Sequence, residues 1–212
     1  MKNIIFFGDS VTDCSRDRNS PFTYSSSMGT GYAYMSAVHI HTNYPSEYNV
    51  INRGIGGNRV LDLYARIKSD VWNLEPDVLS ILIGINDVWH EVLSKNGTEL
   101  DRFVNIYKLM LKETKERFPN VKLIIMEPFV IKGPATEEKY DVFLKIKDYA
   151  KEIKKLAEEF GATFIPLQDK IDELLKTHDP YYVLADGVHP NFVGAGLLAK
   201  EWIKTFEKIK NN

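Results

Sequence analysis

Five short apolar runs alternate with stretches of helical period along this chain, and that alternation constrains the fold more than any other feature. The runs are Asn3 to Phe7, Tyr48 to Asn52, Asp77 to Ile83, Lys122 to Met126 and Thr163 to Pro166. Each is rich in Ile, Val or Phe with little polar alternation, as parallel strands covered on both faces are. Helical period occupies Gly31 to Asn43, Val60 to Asn73, Leu100 to Phe118, Tyr140 to Phe160, Gln168 to Thr177 and Phe192 to Lys208. Pro45, Pro76 and Pro119 punctuate the links, and Gly161 follows a Lys/Glu-rich helix as a C-cap does. Strand and helix in turn predict a three-layer α/β/α sandwich around a five-stranded parallel sheet, with the flavodoxin-like order 2-1-3-4-5. No repeat, low-complexity segment or linker interrupts the 212 residues. The expectation is one domain, 1–212.

Composition narrows the function classes. Apolar residues at 44% and charged residues at 26% exclude wholesale disorder. Lys+Arg 27 against Asp+Glu 29 leaves a formal charge of -2, so no basic excess exists to neutralise a nucleic-acid backbone. The lone cysteine, Cys14, excludes a disulfide framework within the chain and a Cys-rich zinc site. Met1 to Phe7 is too short for a signal h-region, and no run of about 18 apolar residues is available to cross a bilayer. The expectation is a soluble, cytoplasmic protein with no nucleic-acid or membrane partner, with association into a homo-oligomer left open.

Polar stretches longer than their links require run from Thr12 to Thr30, Val88 to Thr98 and Glu127 to Lys139. All follow strand carboxyl ends, the edge where open α/β sheets bind ligands. Four motifs sit at that edge. Gly8-Asp9-Ser10 ends the first strand and presents a hydroxyl, a weak nucleophile until a base takes its proton. Asp186 and His189, three positions apart, suit a carboxylate that holds the imidazole Nδ1 proton and leaves Nε2 free as a base. Asn52-Arg53-Gly54-Ile55-Gly56-Gly57-Asn58 lacks dinucleotide-loop spacing, but can offer the Gly54 backbone N–H to an oxyanion. Asn86 in Gly84-Ile85-Asn86-Asp87 offers a neutral amide donor. Singly, each motif is ordinary turn or cap chemistry. In the 2-1-3-4-5 order the tips carrying Gly54, Ser10 and Asn86 become neighbours, which gives the nucleophile two flanking donors and its own N–H as a third.

In order and over nearly the whole chain, these four motifs resemble the four blocks of the SGNH (GDSL-type) hydrolases. The resemblance implies a serine esterase with Ser10 as nucleophile, His189 as base, Asp186 as orienter, and an oxyanion hole of Ser10, Gly54 and Asn86. Asp9 to Asp13, Gly29-Thr30-Gly31-Tyr32 and Ile83 to Trp89 are similar to the bacterial acetylxylan esterase branch. That similarity implies an acetylated xylo-oligosaccharide or related small ester as substrate, with Asp9, Tyr32 and Trp89 as substrate contacts and no cofactor.

Three rivals bear on the same residues. A lysophospholipase or thioesterase of the same superfamily would share the machinery. A metallophosphoesterase would draw on Asp9, Asp13, Asp87, His90, Asp186 and His189, a pattern poor in convergent histidines; no metal is expected. A non-catalytic carbohydrate-binding module would use Trp89, Tyr32, Tyr181 and Tyr182 to stack sugars.

Overall fold

Ile4, Ile5, Phe6 and Phe7 are all fully buried, as the unbroken apolar run requires, and they form the centre of a single sheet. The computed structural model describes residues 1–211. Its strands are β1 (Lys2–Gly8), β2 (Tyr48–Gly54), β3 (Val78–Leu82), β4 (Lys122–Met126) and β5 (Thr163–Ile165). They pair in the order β2-β1-β3-β4-β5, all parallel, the order predicted from the sequence. Gly8 stands opposite Gly54 on one side and Leu82 on the other, so the carboxyl ends of the three strands finish level.

Among the described residues, ten α-helices connect and cover the sheet: α1 (Ser10–Asp13), α2 (Tyr32–Asn43), α3 (Val60–Asp70), α4 (Ile85–Ser94), α5 (Leu100–Arg117), α6 (Tyr140–Phe143), α7 (Ile146–Glu159), α8 (Gln168–Leu174), α9 (Pro180–Val183) and α10 (Phe192–Ile209). α2 packs with α10, while α5 packs between α3 and α7. The two groups cover opposite faces, because the strand order reverses at β1 and right-handed crossovers then change sides. Among the described residues no helix is long and apolar enough to cross a membrane.

The long polar stretch after β3 differs from expectation: α4 begins inside the Gly84-Ile85-Asn86-Asp87 motif and occupies most of it. Gly84 at φ +135° turns the chain so sharply that the helix starts at the next residue. The helical stretch from Tyr140 to Phe160 is divided at Leu144–Lys145 into α6 and α7.

α10 is fastened to the sheet by Trp202. Its indole is fully buried, stacks on Phe206 at 5.4 Å, and donates to the Ser80 hydroxyl on β3 at 2.9 Å. Truncation of such a side chain to alanine costs about 3–5 kcal/mol. Because α10 starts three residues after His189, this anchorage fixes the segment that delivers the imidazole.

Candidate active site

β1 ends at Gly8, and the chain turns at once into the one-turn helix α1. The Asp9 carboxylate accepts from the Val11 N–H at 3.0 Å and caps that turn, which lifts Ser10 clear of the sheet. The Ser10 hydroxyl lies 2.8 Å from His189 Nε2, and His189 Nδ1 lies 2.7 Å from Asp186 Oδ2. An ionised carboxylate only accepts, so Nδ1 carries the proton and Nε2 presents its lone pair to the hydroxyl.

The turn holding Asp186 and His189 is determined from several directions. Asp186 Oδ1 accepts from the N–H groups of Val188 and His189, each at 2.9 Å. The Ala185 N–H donates to His189 O at 2.8 Å, and Leu184 and Pro190 form an antiparallel bridge. Gly187 adopts φ +106°, and a Cβ there would stand 2.4 Å from Thr136 Oγ1, so the turn admits only glycine without rearrangement. From the loop after β4, Ile131 N–H donates to Gly187 O and Ala135 N–H to Asp186 O, both at 2.9 Å. Gln168 in turn clamps that loop through both polar atoms of Val130, at 3.0 and 3.1 Å. The sequence marked Glu127 to Lys139 as long and polar but carried no sign of this positioning role; Gly133-Pro134 was the only local signal.

The charges around His189 follow from these contacts. Burial pushes the Asp186 carboxyl up, but hydrogen bonds from the His189 ring and from the His189 and Val188 N–H groups outweigh it and hold the group at about 2. The hydrogen bond to Asp186 raises the His189 pKa; burial opposes this, and the charges of Asp186 and Asp9 reinforce it. Asp9 is only 1% exposed, and burial lifts its carboxyl to about 7 against the Val11 N–H bond and the imidazole charge.

Uncommitted donors lie at Ser10 and on the turns that follow β2 and β3. The backbone N–H groups of Ser10 and Gly57 have no backbone partner among the described residues. The Asn86 amide gives one proton to Asn58 O at 3.0 Å, which leaves its second free. Gly54 departs from expectation. Its N–H is engaged by the Asn52 side chain at 2.8 Å, and a Cβ on it would stand 2.2 Å from the Asp13 nitrogen. Gly54 is glycine so that α1 can lie against β2, and the uncommitted donor of this turn is Gly57. The adjacent Gly56 faces Ser10, since a Cβ on the glycine would lie 3.7 Å from the serine Cβ.

The expected substrate contacts are placed differently from one another. Tyr32 is mostly buried, packs edge-on against Phe6 at 5.6 Å and bonds the Thr12 hydroxyl at 3.0 Å, and it also contributes to the lining of the cavity beside the serine. Asp9 is enclosed at the helix cap and cannot touch substrate directly. Trp89 stays at the site, with its ring 5.9 Å from that of His189 and edge-on to Phe143 at 5.6 Å. A cavity of about 490 Å³ opens beside the serine, walled by Val11, Asp13, Cys14, Gly56 and His189. Of the residues the metal reading drew on, none belongs to a group of three or more His, Cys, Asp or Glu placed to share an ion, among the described residues.

A hydroxyl, imidazole and carboxylate in one hydrogen-bonded series at the carboxyl rim of a doubly wound sheet is the apparatus of an α/β serine hydrolase. Residues 6–197 match the GDSL-like Lipase/Acylhydrolase family, and the chain belongs to it. An acetylxylan esterase of Geobacillus stearothermophilus is 35% identical over 99% of this chain and 97% of its own length. A solved structure described as a putative GDSL-like lipase from Parabacteroides merdae superposes with a TM-score of 0.90 at 36% identity, covering 97% of this chain and 95% of that one. The structure of the Geobacillus stearothermophilus acetylxylan esterase superposes with a TM-score of 0.84 at 33% identity, over 96% and 93% of the two chains. Catalytic mutants of that enzyme with serine, histidine or aspartate replaced by alanine give the same fold. The present chain is a serine-type carboxylic ester hydrolase.

Proposed function

We propose that Ser10, His189 and Asp186 are the catalytic triad of an acetylesterase that deacetylates xylo-oligosaccharides or closely related sugars, with residues 1–212 acting as one catalytic domain. The observation that carries this reading is the unbroken series Ser10 Oγ, His189 Nε2, His189 Nδ1, Asp186 Oδ2, with both hydrogen bonds under 3 Å. The acetylxylan esterase relative supports the choice of sugar ester.

Ser10 Oγ attacks the acetyl carbonyl while Nε2 takes the hydroxyl proton. The carbonyl oxygen becomes an oxyanion held by the N–H groups of Ser10 and Gly57 and by the free Asn86 proton. Collapse breaks the C–O bond to the sugar, and the imidazolium returns its proton to the departing alkoxide. Water then attacks the acetyl-serine, its proton passes to Nε2, and acetate leaves with the serine hydroxyl restored. Trp89 and the loop after Ser10 limit the acyl pocket to short chains.

The test is a panel of acetylated xylo-oligosaccharides, acetylated monosaccharides and simple esters from acetyl to octanoyl, with Ser10→Ala as the blank. Acetyl esters should react much faster than octanoyl esters, and the blank should be inert. Equal rates on acetyl, butyryl and octanoyl esters would instead identify a lysophospholipase or thioesterase.

A further inference from the structure

The carboxyl ends of β1 and β2 gather more guanidinium groups than acyl transfer uses. Arg66 donates to Gly8 O at 3.0 Å and to Arg53 O at 2.8 Å, and pairs with Asp70 at 2.6 Å. Arg16 places its Nε on Gly54 O at 2.9 Å, and Arg18 pairs with Asp13. Arg53 stands at the end of β2 with its Nε buried and unpartnered. Neither Arg16 nor Arg53 forms an ion pair with any described residue; the arginine pairs are those of Arg18, Arg59 and Arg66. Burial depresses the Arg16 pKa; Asp13 opposes this, while the charges of Arg53, Arg18 and Arg66 add to it. In a chain of net charge -2 this is a local surplus of positive charge. Such a surplus costs stability unless an anion answers it, and it raises the local concentration of anionic ligands.

The cluster adjoins the reaction site. Asp13, which holds Arg18, also accepts from the Gly56 N–H at 3.0 Å and forms part of the cavity wall with Ser10 and His189. The Gly54 carbonyl under Arg16 lies two residues from Gly56, on the same turn. No step of the acyl transfer needs a cation there, because the oxyanion is met by neutral donors.

We propose that Arg16 and Arg53 form a subsite for a carboxylate on the substrate, so that the preferred ester is an acetylated oligosaccharide bearing a uronate branch. Planar guanidinium forks match a carboxylate in bidentate fashion, and the terminal nitrogens of two arginines without ion-pair partners are the groups that would take it. The proposal rests on the sugar-ester reading above and deepens it.

The experiment compares kcat/KM for an acetylated xylotetraose with and without a glucuronate branch, using the full chain. The branched-to-plain ratio should be about 10 at low salt and fall toward about 1 near 0.5 M NaCl, where the screening length is only a few ångströms. Arg16→Gln and Arg53→Gln together should bring the low-salt ratio to about 1; the glutamine amide introduced at the first position keeps a donor for the Gly54 carbonyl. A ratio of 1 or below in the wild type, with the plain substrate turned over, would overturn the subsite and leave the esterase reading standing. A raised ratio that neither salt nor the two substitutions reduces would also overturn it. Failure on both oligosaccharides with turnover of a simple acetyl ester would sink the sugar reading and the subsite together. Should the double variant not fold, the salt series on the wild type decides.

Discussion

Two regions present an aspartate to the same imidazole, and they treat it in opposite ways. The turn from Leu184 to Pro190 gives Asp186 three hydrogen bonds from its own neighbours and holds it at about 2. The junction of β1 and α1 encloses Asp9, offers it the Val11 N–H, and burial lifts it to about 7. Residue type and proximity to His189 are shared; donor count and burial are not. A carboxylate's part at this site is therefore set by how deeply it is enclosed and by how many N–H groups face it. One is built to stay charged beside the base, while the other is built as a cap and acts on His189 only through its field.

The largest expected effect tests whether both regions serve one reaction. Ser10→Ala or His189→Ala should lower kcat on an acetyl ester by about 10⁴–10⁶-fold, and a loss below tenfold for either would separate the two segments functionally. Next, Asp186→Asn should lower kcat by about 10³–10⁴-fold by releasing the tautomer, whereas Asp9→Asn, which keeps an oxygen for the Val11 N–H, should cost less than about tenfold. Equal losses would erase the distinction. Asn86→Ala should reduce kcat by about 10²–10³-fold with KM little changed, as loss of one oxyanion donor does.

Smaller effects sharpen the contrast through pH. kcat/KM should rise with pH as His189 loses its proton, with a midpoint above the ordinary 6.5 because Asp186 and Asp9 hold that proton. Asp9→Asn should move the midpoint down; an unmoved profile would remove Asp9 from the field at the base. Stability carries opposite signs for the two carboxyls. Asp186, depressed to about 2, stabilises the fold above the ordinary 3.8 and loses that contribution as pH falls toward 2. Asp9, raised to about 7, makes the fold less stable as pH climbs from 3.8 to 7, and His189 adds to the decline as pH passes its own raised value. Asp9→Asn should therefore shrink the fall in Tm between pH 5 and 8 by about 2–4 °C in thermal melts. An unchanged fall would show that the cap is ionised on folding.

Most of the architecture was legible because each strand is an apolar run too short for a helix, and the strand order follows once α/β alternation is recognised. Ser10, Asp186, His189 and Asn86 were legible as motifs. The glycine we propose for the oxyanion hole was not: Gly54, Gly56 and Gly57 look alike in sequence, and only the hydrogen bonds of Gly54 to Asn52 and of Gly56 to Asp13 tell the engaged N–H groups from a free one. Asp9 misled for a related reason. Proximity to a motif does not reveal which side of the backbone a side chain takes, and this carboxyl turns inward. The clasp of Ile131 and Ala135 on the 186–187 turn is made by backbone groups, which any residue could provide, so no side-chain pattern announces it.

The contact between Ser10 and His189 spans 179 positions. During synthesis the nucleophile, its cap and most of the sheet exist long before the base does. A growing chain therefore carries a chemically idle hydroxyl, and becomes able to form and release an acyl group only after the last crossover has emerged and α10 has settled against β3. Activity and completion of the fold switch on together.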